Sequence, residues 1–341
     1  MAEKLTEDQG GAGMVLLEGV RSVPQVYILH ENDEWVIPLR SAFEKLATPM
    51  TEWHLASGIL DLQQAPPPGI FYNRMSASSH TRGHRFAPEL TAAVLAWLTK
   101  HGRRIVNGER ALQLELSKVA QYEALKAFNI PTPETLAIVG KENIAAAAER
   151  LGFPLILKHN RAGKGLGVQH LRSNCDLEAY LDDGEWEPSI DGITLVQRYV
   201  QAPEPYITRV EFIGGKLLYA VRVDTSEGFE LCPADACQLD PLSVSRRGPG
   251  PDKFEIVKDF DHPLVPHWEA FLAANDVGMA GVEFIVDSEG RSFTYDVNTN
   301  TNYNPAAEAA AGISGMGAMA THLADLLAAT YGATGRVSQA A

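Results

Sequence analysis

The chain has 341 residues, 45% apolar and 21% charged, a globular composition with enough sequence for about two domains or a little more. A net charge of −14 argues against a broad phosphate-backbone footprint, so nucleic acid is not expected as a partner; a local basic cluster can still hold a small anion. No run reaches the ~18 apolar residues of a membrane span, the opening "MAEKLTEDQGGAG" lacks the apolar core of a signal peptide, and an odd cysteine count points to a reducing cytoplasm.

In chain order, "PQVYIL" predicts a strand, "PLRSAFEKLA" a helix, and "MTEWHL" and "GIFYNRM" two further strands. "APELTAAVLAWLTKHG" reads as a helix, with Pro88 in its first turn and Gly102 just past its end; "RRIVNG" is a short strand. Such alternation implies a mostly parallel α/β unit over residues 14–110. Residues 111–130, "ALQLELSKVAQYEALKAFNI", predict one periodic helix stopped by "PTPET". "TLAIVG", "KENIAAAAERLG" and "FPLILK" follow as strand, helix and strand. From 193 onward the pattern reads as antiparallel. "TLVQRYV" is a strand, "ITRVEFIGGKLLYAVRV" a hairpin around Gly-Gly, and "GVEFIVDSEGRSFTYDVN" a second hairpin. "AAEAAAGISGMGAMATHLADLLAATYG" predicts a closing helix.

Four features carry chemistry. In "LKHNRAGKGLGVQHL", Gly163, Gly165 and Gly167 alternate with Lys164 and Leu166. Glycines let backbone N–H groups approach an anion. No helix follows, as a dinucleotide or Walker loop would need, so the loop reads as a flap between two strands: a phosphate lid or simply a tight turn. In the Gly-Gly hairpin, a two-residue turn pairs 213 with 216 and 209 with 220. Arg209 and Arg222 then become diagonal neighbours on one face, either a clamp for phosphate or carboxylate or a solvated face. In the second hairpin, any even-length turn leaves Glu283, Asp296 and Asn298 on one face. Opposed acids destabilise a sheet unless a cation joins them, and two carboxylates with an amide oxygen suit Mg²⁺; exposed acids on an edge hairpin are the plainer reading. Finally, "YNRMSASSHTRGHRF" crowds Arg74, His80, Arg82, His84 and Arg85 into one loop of an acidic protein: a substrate wall attracting a carboxylate, or a solvated loop. Cys232 and Cys237 in "LCPADACQ" lack a second pair at zinc spacing and read as loop cysteines.

These pieces stand in a recognisable order, and from about 105 to 330 the chain resembles the ATP-grasp superfamily. The parts are "ELSKVAQYEALKAFNIPTPET", "FPLILKHNRAGKGLGV", "TLVQRYV", "ITRVEFIGGKLLYAVR" and "GVEFIVDSEGRSFTYDVN". The "RVEFIGGK" hairpin looks most like the RimK-type branch, which joins amino acids to a carboxylate through an amide bond. The resemblance implies an α/β (α+β) ATP-grasp fold: an N-terminal parallel α/β pre-ATP-grasp domain (14–110), a small α/β lid domain (111–200) and a C-terminal antiparallel-sheet domain carrying the metal site (201–332). Residues 1–13 and 333–341 read as a disordered lead-in and tail.

The resemblance also implies roles. Lys118 and Lys158 match lysines that reach the nucleotide, and 163–167 match the flap over the β- and γ-phosphates. Gln197, Arg198, Tyr199 and Val200 match the hinge that reads adenine through backbone groups. Glu204 is the candidate ribose acid. Arg209, Arg222 and Lys164 match basic groups at the transferred phosphoryl. Glu283, Asp296 and Asn298 match ligands of Mg²⁺, with Mn²⁺ as an alternative. Two departures stand out: Arg198 replaces the usual hinge glutamate, and Asp296 is a methylene shorter than the usual metal-strand glutamate. A third lies in "TNTNYNP", where a Pro-Gly turn is common; Asn300 and Asn302 there border the acceptor pocket. The implied enzyme is an ADP-forming ligase of a carboxylate and an amine, which are small molecules or a peptide or protein tail, working as a homo-oligomer in the cytoplasm. A thiol or hydroxyl acceptor, phosphoryl transfer alone, or a non-catalytic ATP-binding protein keep the same fold. A nicotinamide dehydrogenase is disfavoured by the strand that follows Gly167.

Overall fold

The computed structural model describes residues 23–163, 165, 167–184, 186–226, 253–257 and 259–332. Lys164, Cys232, Cys237 and the two expected disordered termini lie outside the described residues.

The first sheet has the order β2-β1-β3-β4, all parallel: β1 Gln25–His30, β2 Met50–His54, β3 Gly69–Asn73 and β4 Arg104–Val106. Helices α1 Ile37–Lys45 and α2 Ala87–Lys100 both carry proline near their starts, where no amide donor is needed. One face of this sheet packs Tyr27, Leu29 and Phe71 against α2. The other packs Val26, Ile28 and Ile70 against α1 and the last helix of the chain.

The expected helix 111–130 is two helices, α3 Glu109–Leu116 and α4 Lys118–Lys126. The break is Ser117, at φ −144° and ψ 109°, whose hydroxyl accepts from the Ala120 N–H as an N-cap. Apolar periodicity runs through the break and conceals it. Tertiary contacts fix it: the Lys118 N–H donates to the Asn160 carbonyl and the Val119 N–H to Asn160 Oδ1. Lys118 therefore heads a helix.

Antiparallel pairing begins earlier than expected. The second sheet has the order β5-β8-β6-β7, wholly antiparallel, from β5 Thr135–Ile138, β6 Leu155–His159, β7 Gln169–Leu171 and β8 Thr194–Arg198. Helices α5 Ile144–Leu151 and α6 Asn174–Asp182 pack on it, α6 capped by Ser173 and not foreseen from sequence. β6 and β7 form the hairpin that holds the glycine flap.

The third sheet has the order β11-β10-β9-β12-β13, from β9 Tyr206–Ile213, β10 Lys216–Asp224, β11 Phe254–Val257, β12 Met279–Val286 and β13 Ser292–Asn298. Gly214 and Gly215, at φ +61° and +69°, make the expected two-residue turn, which requires two left-handed residues. Helix α7 Val265–Ala274, also unforeseen, buries Trp268 and Phe271 against this sheet. The expected closing helix is split into α8 Pro305–Ala311 and α9 Gly315–Tyr331, because Gly312 ends the first in a left-handed cap and Ser314 starts the second. α9 then returns to α1 and β3. Asn107, fully buried after β4, ties the first sheet to the third: its Nδ2 donates to the Met279 and Thr299 carbonyls, and its Oδ1 accepts from the Gly278 and Met279 N–H groups.

Candidate active site

The three sheets converge on a cleft of about 1360 Å³, counted with its open mouth. Its floor is the β9–β12–β13 face. Glu283 pairs with Arg209 on one side and directly with Asp296 on the other. The hairpin turn is odd, Val286 facing Ser292 across five residues, which alone would set Tyr295 opposite Glu283. A one-residue bulge at Tyr295 restores Glu283 to Asp296 and keeps Asn298 on their face. Asn298 Nδ2 lies 3.3 Å from Glu283 Oε1. Two carboxylates and an amide thus share one wall of the cleft.

Cations surround them. Lys118 Nζ sits 2.5 Å from Asp296 Oδ1. Burial opposes its charge, but Asp296, Tyr122 and Glu283 outweigh that and hold its pKa above the ordinary value. Lys158 is buried at the end of β6, its Nζ donating to the Tyr122 hydroxyl at 2.6 Å. Burial and the neighbouring Lys118 charge pull its pKa down to about 7, against Asp296 and Glu283. Each nitrogen of Arg209 is engaged: Nε donates to Glu211 Oε1 at 2.5 Å, Nη1 to Glu283 Oε1 at 2.8 Å and Nη2 to Thr301 Oγ1 at 2.7 Å. Burial, opposed by Arg209 and reinforced by Asp296, holds Glu283 above the usual carboxylate range. A hard cation accepting these oxygens would reverse that cost, so the donor set fits Mg²⁺.

The opposite wall is the flap, with Ala162, Gly163, Gly165 and Val168 lining the cleft. Gly165 and Gly167 are left-handed (φ +75° and +69°), and a side chain at Gly167 would meet the His159 ring. Gly167 itself lies outside the lining. At the hinge, the Gln197 side chain turns inward, donating to the Tyr122 and Thr135 hydroxyls at 2.9 and 2.8 Å. The Arg198 and Tyr199 N–H groups are taken by the Glu134 and Pro154 carbonyls. Gln197, Arg198, Tyr199 and Val200 all line the cleft. The Arg198 side chain points outward to Glu134 at 3.1 Å, which explains how arginine is tolerated there.

The structure corrects the two-arginine face. β10 carries a bulge between Leu217 and Tyr219, so Arg209 pairs with Val221 rather than with 220, and Arg222 with Thr208. One extra residue inverts the face. Arg222 is exposed, stacks on the Tyr206 ring at 5.1 Å and does not reach the cleft. Glu204 is likewise exposed and outside the lining. The N-terminal cluster is also spoken for. Arg74 is buried, donating to Asn302 Oδ1 at 2.8 Å and the Thr301 carbonyl at 3.1 Å. Arg82 pairs with buried Glu31 at 2.5 Å and lies over the Trp35 ring at 5.0 Å. His84 bonds Glu31 at 2.9 Å, and Arg85 bonds Glu89 at 2.9 Å. Burial lowers the His80 pKa. None of Arg74, His80, Arg82 or Arg85 lines the cleft, whereas Asn300 and Asn302 do. Arg74 supports the asparagine loop from behind.

Several lining or supporting residues escaped the sequence reading. Glu115 accepts from the N–H groups of Thr299 (2.7 Å), Asn300 and Ala77, joining α3 to the loop after β13. Its "ELSK" position carried no spacing signal. Tyr122 holds Lys158 and Gln197 together and donates to the Tyr295 carbonyl at 2.9 Å. Trp35, Ser76 and Ser78 come from the first sheet's loops, 80 or more residues before the flap they face.

Three sheets in this order around one cleft, a glycine flap over an acidic face, are the ATP-grasp fold. The chain aligns with solved ATP-grasp proteins over most of its length: the RimK domain protein ATP-grasp from Sphaerobacter thermophilus (TM-score 0.60, 20% identity, 87% of this chain and 98% of that one), and the ATP-grasp ligase PsnB complexed with its minimal precursor (0.61, 16%, 89% and 98%). By sequence it is similar to the D-alanine–D-alanine ligase of Chromohalobacter salexigens, 26% identical over 193 residues, 57% of this chain and 58% of that ligase. The chain thus spans somewhat over half the length of such curated relatives. No protein-family model matches it. Among the described residues, no helix is long and apolar enough to cross a membrane.

Proposed function

We propose that this protein is an ATP-dependent carboxylate–amine ligase of the RimK type, forming an amide with release of ADP and phosphate. The carrying observation is the direct opposition of Glu283 and Asp296, with Asn298 beside them, beneath the flap and between Lys118 and Lys158.

A carboxylate is a poor acyl donor because oxide is a poor leaving group. Its oxygen attacks the γ-phosphorus of ATP, the bond to the β-bridging oxygen breaks, and ADP leaves. The amine then attacks the acyl-phosphate carbon, and phosphate leaves with the C–O bond. Mg²⁺ held by Glu283, Asp296 and Asn298 would supply charge neutralisation at the phosphates. The hinge would meet adenine through backbone groups other than the Arg198 and Tyr199 N–H groups, which bond the Glu134 and Pro154 carbonyls, and the Arg198 side chain, turned to Glu134, costs nothing there. Lys118, Lys158 and, from its place in the flap sequence, Lys164 neutralise the phosphates. Arg209 sits beside the metal face and orients Glu283. The flap excludes water, which would hydrolyse the acyl-phosphate. Asn300 Oδ1, buried and without a hydrogen-bond partner among the described residues, would accept a hydrogen bond from the incoming amine.

The test is an ADP-release screen over paired amino acids and carboxylic acids with ATP and Mg²⁺, with the product mass identifying the acceptor atom. Turnover dependent on both substrates is expected, with loss of at least a hundredfold in Asp296→Asn. Full turnover in that variant, or Mg·ATP binding with no turnover across the panel, would overturn the reading.

A further inference from the structure

His30 ends β1 and His54 ends β2, and the parallel register sets them directly side by side. The next loop carries Asp33, whose Oδ1 lies 4.0 Å from His30 Nδ1 and 3.9 Å from His54 Nε2. One donor atom from each of the three lies within 4.8 Å of the others. His30 is 2% exposed, yet among the described residues neither of its ring nitrogens has a hydrogen-bond partner, a rare state for a buried polar group.

The surroundings follow the pattern of a ligating histidine. His30 Nε2 points toward Glu52 Oε2 at 3.5 Å, and Glu52 is held by Arg40 through two bonds of 2.7 and 2.9 Å. At 3.5 Å that contact stops short of a hydrogen bond; once closed it would fix the tautomer and leave Nδ1 for a metal. Neutral imidazole is the form that coordinates, and His30 lies buried where a charge is disfavoured. His84 stands edge-on to His54 at 5.5 Å. Ligands of one ion at about 2.0–2.1 Å stand roughly 3.0–3.4 Å apart. Asp33, 74% exposed, is the ligand with room to move, and the two imidazole nitrogens would also have to close from within 4.8 Å, so binding calls for a small adjustment of the exposed side of the site.

We propose that His30, Asp33 and His54 form a site for a divalent transition ion such as Zn²⁺, separate from the acidic face of the cleft. Two neutral imidazoles with one carboxylate favour Zn²⁺ over Mg²⁺ or Ca²⁺, with solvent in the remaining position. The ion would pin the loop that carries Glu31 and Trp35. Trp35 lines the cleft, so occupancy would shape the cleft's N-terminal wall. The site does not depend on the proposed ligase reaction.

Co²⁺ is the probe, added to the full chain purified without a histidine tag and without nucleotide. Visible d–d absorption should saturate at one Co²⁺ per chain and be displaced by Zn²⁺. Asp33→Asn alters an exposed side chain and His54→Gln a half-buried one, and each should weaken Co²⁺ binding at least tenfold. Asp296→Asn should leave the bands unchanged. Absent bands, bands unaltered in both Asp33→Asn and His54→Gln, or bands lost in Asp296→Asn would each overturn the assignment. Thermal melts of the metal-free variants verify folding, and either one suffices if the other fails to fold.

Discussion

Lys158 offers a sharp test of the nucleotide site. Burial and the Lys118 charge pull its pKa down to about 7, so without a bound anion Lys158 is mostly neutral at pH 8. A polyphosphate beside Nζ favours the charged form, so nucleotide binding must import the missing proton. At pH 8, where ATP is itself fully ionised, the expected uptake is most of one proton. The sign follows: affinity falls as pH rises through 7, by about tenfold, or about 1.4 kcal/mol, for each unit until the bound-state pKa is reached. Lys118, whose pKa is raised by its Asp296 contact, stays charged throughout and contributes no proton. Calorimetric titration with ATP at pH 8, without divalent cation and in two buffers of different ionisation enthalpy, reads the proton count directly. Lys158→Gln should show near-zero uptake and a flat pH dependence. Uptake unchanged in Lys158→Gln, or none in the wild type, would refute both the burial argument and the placement of this lysine at the phosphates.

Three further outcomes follow from the geometry. Gly281→Ala would drive a methyl group into the Arg209 guanidinium, so a loss of about 1–3 kcal/mol in thermal or denaturant unfolding is expected, together with reduced turnover. Arg222→Ala should change stability by less than about 0.5 kcal/mol and leave ATP turnover within twofold; a tenfold loss would mean that the exposed face of β10 matters. Tyr122→Phe strips the hydroxyl from Lys158, Gln197 and the Tyr295 carbonyl, so a cost of about 1–3 kcal/mol in unfolding and weakened nucleotide binding are expected, measured by melts and titration.

Helices α6 and α7 and strand β11 were not read at all, whereas the strands of the first two sheets and both long hairpins were legible because period-2 and period-3.6 patterns are local. So was the acidic face: Glu283, Asp296 and Asn298 share a parity that survives because the odd turn and the bulge at Tyr295 offset each other. The same kind of one-residue irregularity in β10 sent Arg222 to the opposite face, and nothing in "KLLYAVRV" announces it. Helix breaks at Ser117 and Gly312 were concealed by continuous apolar periodicity and set by caps.

By itself, then, the sequence determined the alternation of elements, the glycine flap, the lysines and the acidic hairpin, because backbone pattern and charge type are written residue by residue. Only the tertiary structure decided which charges are already spent. Arg74, Arg82 and Arg85 looked like a substrate wall, yet each is paired with a neighbour, while Glu115, Tyr122 and Asn107 proved to hold the cleft together. Burial and long-range hydrogen bonding set those roles, and both depend on partners up to about 190 residues away that no local pattern records.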